Sequence, residues 1–256
     1  MIFWGNLTVK FPNSRTVLGR LIRVPLRLIP PTAIIPVLSG PMRSMRWVVG
    51  STPHGAWLGT LERDRLSHFV KRLRSGMTVW DIGANVGLYS LPAARAVGKS
   101  GRVYAFEPLI RNLSYLRQHI ALNKLMNVVI VDAAVSDRSR MVRMAEGDSP
   151  SEFHIASSGD FEVRAVALDE WRVDINCPPP NLVKIDVEGA EVLVLQGGAE
   201  TFRRWRPPIY LSLHGEQQRC ECAALLEGWG YQVLSVEGSP SESSEWLAES
   251  MSCSEY

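Results

Sequence analysis

Two groups of residues in this chain have the types and spacing that chemistry requires. The first begins with Val79-Trp80-Asp81-Ile82-Gly83-Ala84-Asn85-Val86-Gly87, an apolar run reaching a carboxylate and then a turn with glycines four apart. Such a strand-turn-helix unit in an open α/β sheet places the turn beyond the carboxyl end of a strand, where ligands bind. Gly83 permits close backbone approach, and Gly87 permits the following helix to pack on the strand. Glu107 follows Gly83 by 24 positions, at the end of the apolar run Val103–Phe106 and before Pro108. An acidic residue roughly 20 positions after such a turn meets the paired hydroxyls of a ribose. After the next apolar run, Asp132 and Ala133 offer a polar group and free space for a purine, and Leu109 and Ile110 offer an apolar face for its ring.

These residues discriminate between cofactors. A nicotinamide dinucleotide needs its pyrophosphate held by G-x-G-x-x-G at a helix start. Here the turn lacks the middle glycine, and Asp81 stands where its charge would repel phosphate and attract an ammonium group. S-adenosylmethionine carries an ammonium, a ribose diol and an adenine but no phosphate, so the charges favour it. Asp81, Gly83, Ala84, Asn85, Gly87, Glu107, Pro108, Asp132 and Ala133 are the expected cofactor contacts. A nicotinamide-dependent oxidoreductase and a non-catalytic interaction module remain the alternatives.

The second group is Asp186, Glu188 and Glu191, with His214 at the end of the following apolar run. Transfer of a methyl group to a hydroxyl is an in-line displacement that benefits from a base, and a carboxylate or imidazole on this rim suits the task. Lys184 is expected to neutralise nearby carboxylates. Asp186, Glu188 and His214 could also hold a divalent ion, but without a second histidine no metal ligands are assigned.

Short apolar runs must present these groups, and they alternate with helical patterns from about Thr60 onward. Strands are expected at 78–82, 102–106, 128–131, 141–145, 162–167, 181–186, 209–213 and 232–236. Helices are expected at 86–97, 109–122, 190–203 and 220–228. That alternation demands crossovers, hence an α/β fold: a doubly wound, mostly parallel sheet with helices on both faces. Residues 60–240 would form this domain, preceded by a proline-rich extension at 1–59 and followed by a tail at 241–256, in which Trp246 and Leu247 suggest a last edge strand. The extension pairs a hairpin at 34–49 with a basic amphipathic piece over 16–29, carrying Arg20, Arg23 and Arg27 and kinked at Pro25. That piece would pack on the domain or touch an anionic membrane surface.

Composition narrows the class. A formal net charge of +2 gives no reason to expect a nucleic-acid partner. Four cysteines without a zinc pattern read as free thiols in a reducing compartment. The opening MIFWGNLTVKFPN lacks the features of a secretory signal, and a cytoplasmic location is expected.

The strings Asp-Ile-Gly-Ala-Asn-Val-Gly at 81–87, Phe-Glu-Pro at 106–108 and Lys-Ile-Asp-Val-Glu-Gly-Ala-Glu at 184–191 resemble the FkbM family of methyltransferases, as does the segment 55–62. The resemblance implies a class I, Rossmann-like, S-adenosylmethionine-dependent fold. It implies methylation of hydroxyls on sugars, lipids or secondary metabolites, with Asp81, Gly83, Asn85 and Glu107 at the cofactor. One departure is Ser212, where the family pattern commonly carries a glutamate; that role would then pass to His214 or Glu216.

Overall fold

A computed structural model describes residues 25–146, 153–156, 161–236 and 243–250. It separates into two units, with the boundary after Arg63. In the first unit a 3-10 turn at Pro25–Leu28 precedes β1 (Ile34–Pro36) and β2 (Arg46–Val48), which pair antiparallel as the hairpin pattern requires. The short helix α1 (Gly55–Leu58) ends at Gly59, whose left-handed backbone lies so close to Ser39 that a side chain there would overlap its carbonyl. The basic stretch expected over 16–29 falls outside the described residues up to 24.

The second unit takes up α2 (Arg63–Lys71) from its second residue, then β3 (Thr78–Ile82), α3 (Ser90–Val97), β4 (Arg102–Phe106), α4 (Ile110–Leu122) and β5 (Val128–Val131). A smaller layer follows, from β6 (Ala134–Val135), β7 (Arg140–Glu146), β8 (Phe153–Ala156) and β9 (Phe161–Val166). After α5 (Leu168–Asp174) come β10 (Leu182–Ile185), α6 (Glu191–Gly197), α7 (Ala199–Trp205), β11 (Ile209–Ser212), α8 (Glu216–Gly228), β12 (Tyr231–Ser235) and β13 (Glu245–Ser250).

The main sheet has seven strands in the order β12-β13-β11-β10-β3-β4-β5, parallel throughout except at β13. Every residue of β3 and β10 is buried, as strands covered on both faces must be. Trp80, Tyr104 and Phe106 meet Trp171 of α5 edge-on at 5.7, 5.3 and 4.7 Å, an aromatic cluster under the strands that end at the turn.

Several elements differ from the sequence expectation: α5 and β6 were not expected, and the helix expected at 86–97 begins only at Ser90. The helical pattern at 190–203 is two helices, α6 ending at Gly197 and α7 starting after Gly198; Gly197 sits where a Cβ would overlap the Ser136 carbonyl. Strand β8 arises inside the polar stretch read as an interruption. The strand at Trp246 is internal, lying between β11 and β12, and β12 forms the edge.

Candidate active site

Strand β3 has β4 on one side and β10 on the other, so the chain changes direction across the sheet between β3 and β10. The crevice at such a reversal is where open α/β sheets take their ligands. Gly83 leaves β3 there with φ 80°. A Cβ on it would overlap the carbonyl oxygen of Asp186, the first residue after β10. The glycine thus serves a backbone-to-backbone approach at the crevice floor. Gly87, at φ 103°, faces Leu91 and Leu116 and lets α3 and α4 close behind the turn. Between them Asn85 is left-handed at φ 50°, with its amide turned toward the next strand.

That amide donates to Glu107 Oε2 at 2.8 Å, while Leu109 N and Asn112 Nδ2 donate to Oε1 at 2.9 and 3.3 Å. Burial raises Glu107 to about 7 despite these donors. Glu107 therefore ties the glycine turn to α4 and keeps acceptor capacity on Oε2, which takes one donor where Oε1 takes two. Beside it Ile110 is 85 % exposed, a bare apolar side chain at the mouth of the turn that suits the face of an adenine. A carboxylate oxygen with a spare lone pair next to uncovered apolar surface fits a ribose hydroxyl and the adenine of S-adenosylmethionine.

The remaining expected contacts are distributed unevenly. Ala84 and Ala133 are buried, and Pro108 lies between Glu107 and α4. Asp132 is well exposed and pairs with Arg117 at 3.1 Å. Asp81 is buried, accepts from Ser90 Oγ at 2.5 Å, and is raised to about 6 by burial. Its cross-strand neighbour is Lys184.

The four rim residues do converge. Glu188 and Gly189 form a left-handed turn, at φ 51° and 94°, which returns the chain into α6. His214 Nδ1 lies 2.7 Å from Glu191 Oε1, which also accepts from Gly189 N at 3.0 Å. His214 Nε2 faces Glu188 Oε2 at 3.2 Å and Asp186 Oδ1 at 3.8 Å. The bond to Glu191, with the charges of Glu188 and Asp186, raises the imidazole to about 9 against the opposing effect of burial. With no ion on the rim, His214 therefore favours the imidazolium form, able to orient a carboxylate; a cation bound to Nε2 would take the place of that proton.

Lys184 is buried beneath the rim. Its Nζ reaches Asp186 Oδ2 at 3.3 Å, contacts Ser212 Oγ, and lies 5.2 Å from the Tyr89 ring. Ser212 in turn donates to Glu245 Oε2 at 3.0 Å, and Arg65 holds the other oxygen of Glu245 at 3.0 Å. Glu245 was not foreseen as a site residue. It stands opposite Ser212 across β11 and β13, a register that its Ser- and Glu-rich surroundings do not announce. Glu216, the other suggested substitute, begins α8 and pairs with Arg219 at 3.3 Å.

A mostly parallel sheet reversing at a glycine turn, with an acidic residue closing the next strand, defines the class I methyltransferase fold. Methyltransferase FkbM from Methylobacillus flagellatus KT shares it, at a TM-score of 0.52 and 16% identity over 77% of this chain and 53% of that one. The pattern of the Methyltransferase FkbM domain matches residues 81–233, and the chain belongs to that family. Hexuronic acid methyltransferase AglP of Haloferax volcanii is 24% identical over 138 residues, 53% of this chain and 56% of that protein. The alignments thus span little more than half the length of either relative.

Proposed function

We propose that this chain transfers the methyl group of S-adenosylmethionine to a hydroxyl of a sugar, lipid-linked glycan or similar small acceptor. One observation carries the reading: the cofactor turn and the acidic rim are in main-chain contact, Gly83 against Asp186. A methyl donor lying along the turn and over Glu107 would present its sulfonium to that rim. Bound there, the cofactor supplies an electrophilic methyl group. Asp186 is the base in this reading. Lys184 holds its Oδ2, and Oδ1 faces the rim, where it can take the acceptor's proton as the new C–O bond forms. His214, charged and fixed by Glu191, orients that carboxylate. Membership of the FkbM family and the named activity of the Haloferax volcanii relative support a sugar as acceptor.

Calorimetric titration with S-adenosylmethionine, S-adenosylhomocysteine and NADH tests the cofactor half. The first two should bind, and Glu107→Ala should weaken both by tenfold or more, on the order of 1.4 kcal/mol. Binding of NADH alone would overturn the reading. A panel of hexuronates, neutral sugars and hydroxylated lipids with labelled donor then tests the acceptor half, with Asp186→Asn expected to lower turnover about 10²-fold or more.

A further inference from the structure

Three acceptor atoms meet at the rim with no donor among them when the imidazole is neutral. They are Asp186 Oδ1, Glu188 Oε2 and the Nε2 lone pair of His214, which lies 3.8 and 3.2 Å from the two oxygens; one ligand atom from each residue lies within 4.8 Å of the others. Glu191 decides which ring nitrogen faces the cluster. It is fully buried, its Oε1 binds Nδ1, and its Oε2 has no hydrogen-bond partner. A carboxylate behind a histidine whose far nitrogen is thereby aimed outward is the usual support of a metal-bound imidazole. The second, fully buried oxygen of that carboxylate has no hydrogen-bond partner, so Glu191 is held in place through Oε1 alone, by His214 and Gly189 N.

We propose that Asp186, Glu188 and His214 form a binding site for a divalent first-row cation such as Mn²⁺, with Glu191 as the group that orients the histidine. The spacing fits. Ligands each about 2.1 Å from one ion at octahedral or tetrahedral angles lie about 3.0–3.5 Å apart. Nε2 is 3.2 Å from Glu188 Oε2 and 3.8 Å from Asp186 Oδ1, so a small side-chain movement completes the set. Lys184 occupies the other oxygen of Asp186 and leaves Oδ1 to the ion, so in the loaded site Asp186 serves as a ligand and activation of the acceptor hydroxyl passes from its carboxylate to the ion. One nitrogen and two carboxylate oxygens suit Mn²⁺ better than the softer, thiolate-seeking ions. With three protein ligands the ion would keep open positions, and an acceptor hydroxyl reaching one of them would be polarised.

The inference rests on side-chain geometry, and its test uses the full chain without cofactor or acceptor, so it stands or falls separately from the methyltransferase reading. Mn²⁺ is titrated by calorimetry and by water-proton relaxation. One ion per chain is expected, with affinity reduced tenfold or more in His214→Ala and in Glu188→Gln and unchanged in Glu162→Gln, an exposed residue paired with Arg143. Far-UV circular dichroism checks that each variant is folded. In parallel, Mn²⁺ should broaden the His214 ring resonances selectively in the unaltered protein. Absence of Mn²⁺ binding at millimolar concentration, or binding that survives in both variants without broadening of His214, overturns the proposal and leaves the proton as the cation of this cluster.

Discussion

At the scale of single residues, Lys184 carries the largest electrostatic responsibility. Its buried ammonium lowers the cost of ionising Asp81 on one side and Glu245 on the other, and it binds Asp186 directly. Removing it leaves carboxylates of three strand ends without their common cation. Lys184→Met is expected to cost about 3 kcal/mol, the usual penalty for orphaning a buried charge, read as a shift in urea midpoint at constant slope. Lys184→Arg should not restore stability, since a planar guanidinium cannot occupy a space built around a point charge. Glu107 supplies a second test. Burial raises it from 4.5 to about 7, so between those values the folded chain holds a proton that the unfolded chain has lost. Stability of the ligand-free protein should therefore fall as pH rises through that window and level off above about 7. Thermal melts across about pH 5 to 8 should show the trend, and Glu107→Gln should remove a share on the order of 3 kcal/mol. Cofactor affinity should run the other way, weakening as pH drops below about 7, because ribose hydroxyls donate best to the ionised carboxylate.

At the scale of elements, what the sequence made legible is what local patterns encode. The runs at 78–82, 102–106, 128–131 and 209–213 become β3, β4, β5 and β11 nearly residue for residue, because each is a short apolar stretch closed by turn formers. The turn at 81–87 and the rim at 186–191 were readable for the same reason: strand, glycine and carboxylate lie close in sequence. Tertiary context decided the rest. Nothing local distinguishes Gly197-Gly198 as a break from a tolerated helical glycine; the Ser136 carbonyl pressed against Gly197 does. Leu168–Asp174 is a two-turn helix whose Trp171 makes sense only once the aromatic strand ends it packs on are in place. Glu245 joined the site through cross-strand register, which no single segment can reveal. The β3 turn itself gives a sharp prediction. Gly83→Ala adds a methyl group that collides with the Asp186 carbonyl and strains a φ of 80°, so the loss should be about 3 kcal/mol or more, with cofactor binding impaired in whatever still folds. Gly76→Ala is the control. It also has positive φ, at 86°, but its nearest neighbour would be Ser100 Oγ at 3.8 Å, so only the conformational cost of about 1 kcal/mol applies.

At the scale of the whole molecule, the placement of β13 changes what the last described segment is for. A strand at a sheet edge can be lost with modest damage, whereas β13 pairs with β11 through Ile209↔Ala248 to Ser212↔Glu245 and with β12 through Tyr231↔Ser250 to Ser235↔Trp246. It also buries Trp246, Leu247 and Ala248. Ending the chain after residue 242 would expose the ladder of β11, strand neighbour of the rim, and detach β12 from the sheet altogether. Unpaired strand edges recruit other chains, so the truncated protein is expected to aggregate on expression rather than fold with a slightly lower melting temperature. The same cut would remove Glu245 and leave Arg65 and Ser212 without their shared partner. Adding residues 243–250 back as a peptide offers a discriminating measurement, since a strand that completes the sheet should restore soluble, cooperatively melting protein. Soluble protein from the truncated chain alone, with an unchanged melting transition, would show that the sheet closes without β13 and that β11 carries the rim unaided.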